Sequence, residues 1–201
     1  GYVLSRIFLL YYTSIDLYGR SDLAMNKTYQ ERLCRVRQNM KEQGLTQILV
    51  SATESVFYLT GLWIVPMERQ LALYLHEDGR CVLFGNDLFG VEPMEGWELK
   101  IHNDADDPVA DIAKAVCPGV LGIDKNWPSR FLISLMEKRQ DVQPVVGSAP
   151  VDDARKQKDA AEAQAMREAS AVNDRVMAQT IRELREGVTE SEMAARVEAD
   201  R

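Results

Sequence analysis

The side chains able to do chemistry are few and scattered along this chain of 201 residues. There are two histidines, His76 and His102, and three cysteines, Cys34, Cys81 and Cys117. The cysteines are far apart, with no C-x-x-C pair and no histidine at ligand spacing. They read as reduced thiols of a cytoplasmic protein, not as a zinc site. Two histidines leave schemes built on a His base or on several His ligands short of material. His76 closes an apolar run and reads as a strand-end residue. His102 opens the stretch His102-Asn103-Asp104-Ala105-Asp106-Asp107, which carries the oxygen donors of a hard-cation site. It lacks the turn glycine and the distant bidentate glutamate of a calcium loop, and Asp106 or Asp107 suits the N-cap of a helix after Pro108. The cap is the expected use. The last candidates stand between a Thr-Gly bend and a strand, in YLTGLWIVPMERQLALYLHEDG (58–79). Arg69 beside Glu68 is a solvated or locally paired charge unless it is given a ligand. Trp63 and Met67 either cover the sheet edge or form an exposed contact patch.

Composition narrows the partners. A net charge of -7 and a pI near 5.0 provide no concentrated Lys and Arg to neutralise phosphate, which argues against nucleic acid and anionic membrane surfaces. Apolar residues at 46% and charged ones at 27% are those of a globular chain. Residues 1–24 differ from the rest. Their apolar run Ile7 to Tyr12 is too short to span a membrane, and Met25-Asn26-Lys27 has the look of a natural start. The segment is expected to be an expression-derived or misassigned extension; if ordered, its aromatic alternation suits an extra edge strand or a partner contact.

The elements that must position these residues follow from Thr28 onward. Thr28 with Glu31 forms a capping box, and Leu33, Val36 and Met40 share one helical face up to Gly44. Gln47 to Ser51 reads as a buried strand, and a short helix through Val56-Phe57-Tyr58-Leu59 ends at Gly61. Gln70 to His76 and Arg80 to Phe84 flank an Asp78-Gly79 hairpin. A strand near Trp97 to His102, a helix at Pro108 to Val116, a strand at Val120 to Asp124 and a helix from Pro128 to Lys138 complete the pattern. Alternating strands and helices with one hairpin predict an α/β domain with a mixed sheet. After Pro150 the run Asp153 to Glu186 contains no Pro or Gly. Ala161, Ala165, Ala169, Val172, Val176, Ile181 and Leu184 recur near helical period, so one long helix is expected. Gly187 ends it, and Thr189 with Glu192 opens another helix, which the sequence leaves at Arg201 as in a fragment.

Four stretches, in order, resemble the creatinase, prolidase and Xaa-Pro aminopeptidase family over residues 26–201. They are Ser51 to Gly61 followed by Glu68-Arg69 and Asp78-Gly79; Ala154-Arg155 with Lys158 and Glu162; Met166-Arg167-Glu168-Ala169; and Glu186 to Glu192. The resemblance implies an RNase H-like mixed sheet flanked by helices over 25–152, then a linker and the opening helices of a truncated pita-bread catalytic domain over 153–201. It further implies a parent metallopeptidase in which two divalent ions (Mn, Co or Zn) are held by two Asp, one His and two Glu beyond these helices. Bridged by carboxylates, such ions activate a shared water and hold the scissile carbonyl.

On that resemblance this chain carries no catalytic residue and no metal, and by itself it hydrolyses nothing. Its expected work is to build a homodimer and to line the mouth of the active site, often the neighbour's. Arg69, eight residues after Gly61, matches an Arg that contacts the substrate carboxylate in creatinase-like members, with Trp63 and Met67 beside it. A planar guanidinium suits that contact because it can offer two parallel hydrogen bonds. The substrate is a peptide or small carboxylate. The other readings are an N-terminal domain of a creatinase-like amidinohydrolase and a stand-alone α/β interaction module.

Overall fold

The computed structural model describes residues 27–199. The expectations for residues 1–24 lie outside the described residues. Two compact units meet between Arg155 and Lys156, a few residues beyond the boundary expected at 152.

The first unit is built on a six-stranded mixed sheet of order β4-β3-β2-β1-β5-β6. Helix α1 (Lys27–Glu42) buries Leu33, Val36 and Met40, the face read from the sequence. It opens one residue before Thr28, which therefore stands inside the first turn and not outside it as a cap. Strand β1 (Gln47–Val50) is buried throughout. Helix α2 (Thr53–Thr60) stops at Gly61, whose φ of 78° is open to glycine alone at little cost, and whose N–H donates to Phe57 O at 2.8 Å. A side chain is barred there twice over, because a Cβ on Gly61 would come 2.6 Å from Tyr29 Oη.

Strands β2 (Ala72–His76) and β3 (Cys81–Asn86) form the expected antiparallel hairpin, and β1 pairs antiparallel with β2. On the outer side of β3 runs β4 (Glu98–His102), in parallel, placing His102 opposite Asn86. On the other side of β1, β5 (Gly119–Ile123) is parallel to it and is reached through α3 (Ala110–Ala115). Helix α4 (Ser129–Lys138) then leads to an edge strand β6 (Val142–Val146), parallel to β5. This last strand is absent from the sequence reading. Pro144 in its middle reads as a breaker, but an edge strand tolerates a residue with no N–H to donate.

Strands β1 to β3 are buried on both faces, and their residues alternate between two cores. Leu71, Leu73 and Leu75 pack with α1 and α2, while Ala72 and Tyr74 pack with Ile112 of α3 and with Phe131 and Leu135 of α4. Both faces of the sheet are thus covered by helices, which is why these strands read as nearly continuous apolar runs.

The single helix expected over 153–186 is a correction. The chain forms α5 (Ala149–Lys156), breaks, and restarts as α6 (Ala160–Glu183). The restart is set by a capping box: Glu162 N donates to Asp159 Oδ1 at 2.8 Å, and Asp159 N donates to Glu162 Oε2 at 2.9 Å. Pro150 is accommodated in the first turn of α5, where its missing N–H is not needed. In the second unit α6 buries no residue, leaving Met166, Val172, Met177 and Ile181 exposed. Leu184 lies just past its end. Helix α7 (Glu190–Ala199) begins at the expected Thr189–Glu192 box, with Thr189 N donating to Glu192 Oε2 at 3.0 Å. No helix among the described residues is long and apolar enough to cross a membrane.

Candidate functional site

The residues leading into β2, the ends of β3 and β4, and the loop between β4 and α3 surround a cleft of about 270 Å³. Arg69 is part of its lining and is held from two sides. Its Nε donates to Asp104 Oδ1 at 2.9 Å and its Nη2 to Asp104 Oδ2 at 2.8 Å, a two-bonded fork. Its Nη1 donates to Glu68 Oε1 at 3.1 Å.

The backbone sets this geometry. Arg69 N donates to Pro66 O at 2.8 Å, closing a turn through Met67, which sits at φ 53°. Positive φ in a non-glycine residue is uncommon and strained. Upstream, Thr53 Oγ1 donates to Ile64 O at 2.6 Å and ties this loop to the start of α2.

Asp104 is oriented by a second partner. Asn86, buried at the end of β3, donates from Nδ2 to Asp104 Oδ1 at 2.8 Å, while its own Oδ1 accepts from Leu88 N at 3.0 Å. The Arg69 guanidinium, through its hydrogen bonds, holds the Asp104 carboxyl below the usual carboxylate range, with Asn86 adding to the effect. The same pairing raises the affinity of Arg69 for its proton. His102 also lines the cleft, and burial pushes its pKa down, against the opposing pull of Asp106 and Asp104. Its imidazole is therefore neutral at neutral pH.

The acidic stretch 102–107 is a folded turn in which each carboxylate has work. Asp106 Oδ2 accepts from Asn103 N at 2.8 Å, and Asp107 Oδ1 accepts from Val109 N at 3.0 Å. Asp107 leads into α3 as expected, and it also meets Lys138 Nζ of α4 at 2.5 Å. Among the described residues, no group of three or more His, Cys, Asp or Glu is placed to hold a metal ion. His76 Nδ1 accepts from Asp78 N at 3.1 Å within the β2–β3 hairpin, away from the cleft.

Trp63 and Met67 lie on the same loop as Arg69 but outside the cleft lining. Met67 is 69% exposed and Trp63 38%, with the Trp63 ring edge-on to Phe57 at 5.6 Å between centroids. They form an exposed apolar patch at the approach to Arg69. Three residues of the cleft escaped the sequence reading. Asp104 and Asn86 are distant in the chain and meet Arg69 only through the β3–β4 register. Gln70 looked like an ordinary polar residue, yet it is 1% exposed, and neither its Oε1 nor its Nε2 has a hydrogen-bond partner among the described residues.

Comparison with known proteins adds the following. Residues 32–157 match the family model described as the creatinase/prolidase N-terminal domain. Among curated proteins, YkvY of Bacillus subtilis (strain 168), whose name provisionally makes it a dipeptidase, is 29% identical over 177 residues, covering 83% of this chain and 48% of YkvY. Two solved structures are similar in fold. The recombinant prolidase from Thermococcus sibiricus has a TM-score of 0.75 at 23% identity, over 87% of this chain and 50% of that one. The dipeptidase PepE from Mycobacterium ulcerans has a TM-score of 0.71 at 25% identity, over 90% of this chain and 50% of that one. The chain thus spans about half the length of these relatives.

Proposed function

The chain belongs to the creatinase/prolidase N-terminal domain family, and from that premise we propose that it is the non-catalytic N-terminal part of a dipeptidase-like, metal-dependent hydrolase. In that role it contributes to a homodimer and to the mouth of an active site, in the cytoplasm, on a peptide or small carboxylate substrate. The names of YkvY and of the structural relatives support the dipeptidase class.

The observation that carries the site reading is the fixed guanidinium. Asp104 clamps Arg69 through Nε and Nη2, so the plane of the fork is set before any ligand arrives. The Nη1 edge is held only by Glu68, whose side chain is 67% exposed. A substrate carboxylate reaching Arg69 replaces Glu68 at that edge and leaves the Asp104 clamp intact. The Glu68 contact is an exposed ion pair and is worth little, so its exchange is easy. Trp63 and Met67 supply exposed apolar surface beside that edge for a partner or for the substrate's side chain.

Two divalent ions would supply the activated water and the Lewis acid for peptide hydrolysis. The carboxylates of the cleft do not fit such a centre, because Asp104, Asp106 and Asp107 are each bonded within the fold. The metal centre is not assigned to them.

The test is steady-state kinetics of the complete protein with Arg69→Ala on an Xaa-Pro dipeptide. A raised KM with kcat retained is expected. An unchanged KM removes Arg69 from substrate binding.

A further inference from the structure

We propose that the cleft beside Arg69 binds the amino end of a peptide, with the Gln70 carboxamide holding the ligand's first peptide group. The inference adds the opposite end of the ligand to the one assigned to Arg69, and it stands on the cleft alone.

Gln70 lines the cleft, is almost fully buried, and has both polar atoms unpaired among the described residues. Burying an unpaired amide is destabilising, and an apolar residue of the same shape would remove the penalty. A carboxamide has one acceptor oxygen and a donor NH₂, which complement the N–H and C=O of a peptide group. The surrounding charge selects the end of the peptide. Glu68, Asp104 and Asp106 line the cleft against a single cation, Arg69, which is already bonded to two of them. The balance repels a free carboxylate near Gln70 and favours an ammonium group. Pro108 and Phe131 provide an apolar wall for the ligand's first side chain. The volume of about 270 Å³ is at the small end for a ligand pocket and suits one or two residues.

The experiment is an NMR titration of the ¹⁵N-labelled chain with L-alanyl-L-alaninamide, which has an ammonium and two amides but no carboxylate. The Gln70 side-chain NH₂ signals should shift saturably. The N-acetylated form of the same probe, lacking the ammonium, should bind more weakly. Gln70→Met, close in shape and apolar, should bind the probe about tenfold more weakly and melt at the same temperature as the parent chain or higher. Three results would overturn the proposal: Gln70 signals that do not move, a Gln70→Met chain that binds the probe as tightly as the parent, or a lower melting temperature for that variant, which would mean that the amide is bonded inside the fold. Because the probe has no carboxylate, these outcomes leave the assignment of Arg69 untouched, and the Arg69→Ala kinetics leave this one untouched.

Discussion

Arg69 and Asp104, 35 positions apart, are joined by two parallel hydrogen bonds of 2.9 and 2.8 Å. The pair turns a flexible cation at a strand entrance into an oriented one, and Asn86 fixes the carboxylate from behind. That arrangement makes definite demands on variants.

Arg69→Lys is not a conservative change here. A lysine ammonium cannot make the two-bonded fork with Asp104 and still present an oriented edge to a ligand. In the complete protein its KM for a dipeptide is expected to rise by about 10- to 100-fold, the loss of a charge-assisted hydrogen bond. Lysine restoring the parent KM would show that charge alone is needed.

The acid limb of the stability profile should carry the mark of these pairs. The Asp104 carboxyl is held below its ordinary value of 3.8 by Arg69, and Asp141 is likewise held down by Arg139. A depressed folded-state pKa contributes stability that is present above the ordinary value and lost as pH falls through the folded one. Urea unfolding at a series of pH values from 6 downward should therefore show stability declining below about pH 4. The decline should be shallower in Asp104→Asn than in the parent chain; equal slopes would mean that the pair is not formed in solution.

Gly122 of β5 is demanded by crowding and not by its backbone angles. A Cβ there would stand 2.8 Å from Ile48 Cγ2 and 3.0 Å from Gly147 Cα, where β1, β5 and the end of β6 come together. Gly122→Ala is expected to destabilise the first unit by about 1–3 kcal/mol through overpacking. Chemical denaturation measures it, and a neutral result would show that β6 can move away freely.

Helix α6 should be the weak element. It buries no residue and depends on its Asp159–Glu162 box to start. Its amides are expected to exchange with solvent much faster than those of β2 in a dilute sample. Asp159→Ala should cost about 1 kcal/mol of local helix stability and speed exchange in the first turn. Protection in α6 equal to that in β2 would contradict this account.

What could be read from the sequence was whatever is local. The β2–β3 hairpin announces itself through Asp78-Gly79 and apolar residues on both faces, and α1 through the spacing of Leu33, Val36 and Met40. The edge strand β6 was hidden by Pro144, a residue tolerable only because β6 is an edge. The break between α5 and α6 was hidden because the capping box at Asp159 is made of charged residues that pass for helix interior. At the site, Arg69 was visible through its place after the Thr60-Gly61 bend. Its partners were not, since only the register of β3 against β4 brings Asn86 and Asp104 to it. Gln70 was invisible for a different reason: its burial follows from the packing of α3 and α4 over the sheet.

The most direct test of the central claim is manganese-dependent hydrolysis of an Xaa-Pro dipeptide by the complete protein, measured beside this chain alone. The account predicts chelator-sensitive hydrolysis by the complete protein and none by the chain alone. A complete, folded and metal-loaded protein that leaves the dipeptide intact would contradict the dipeptidase reading.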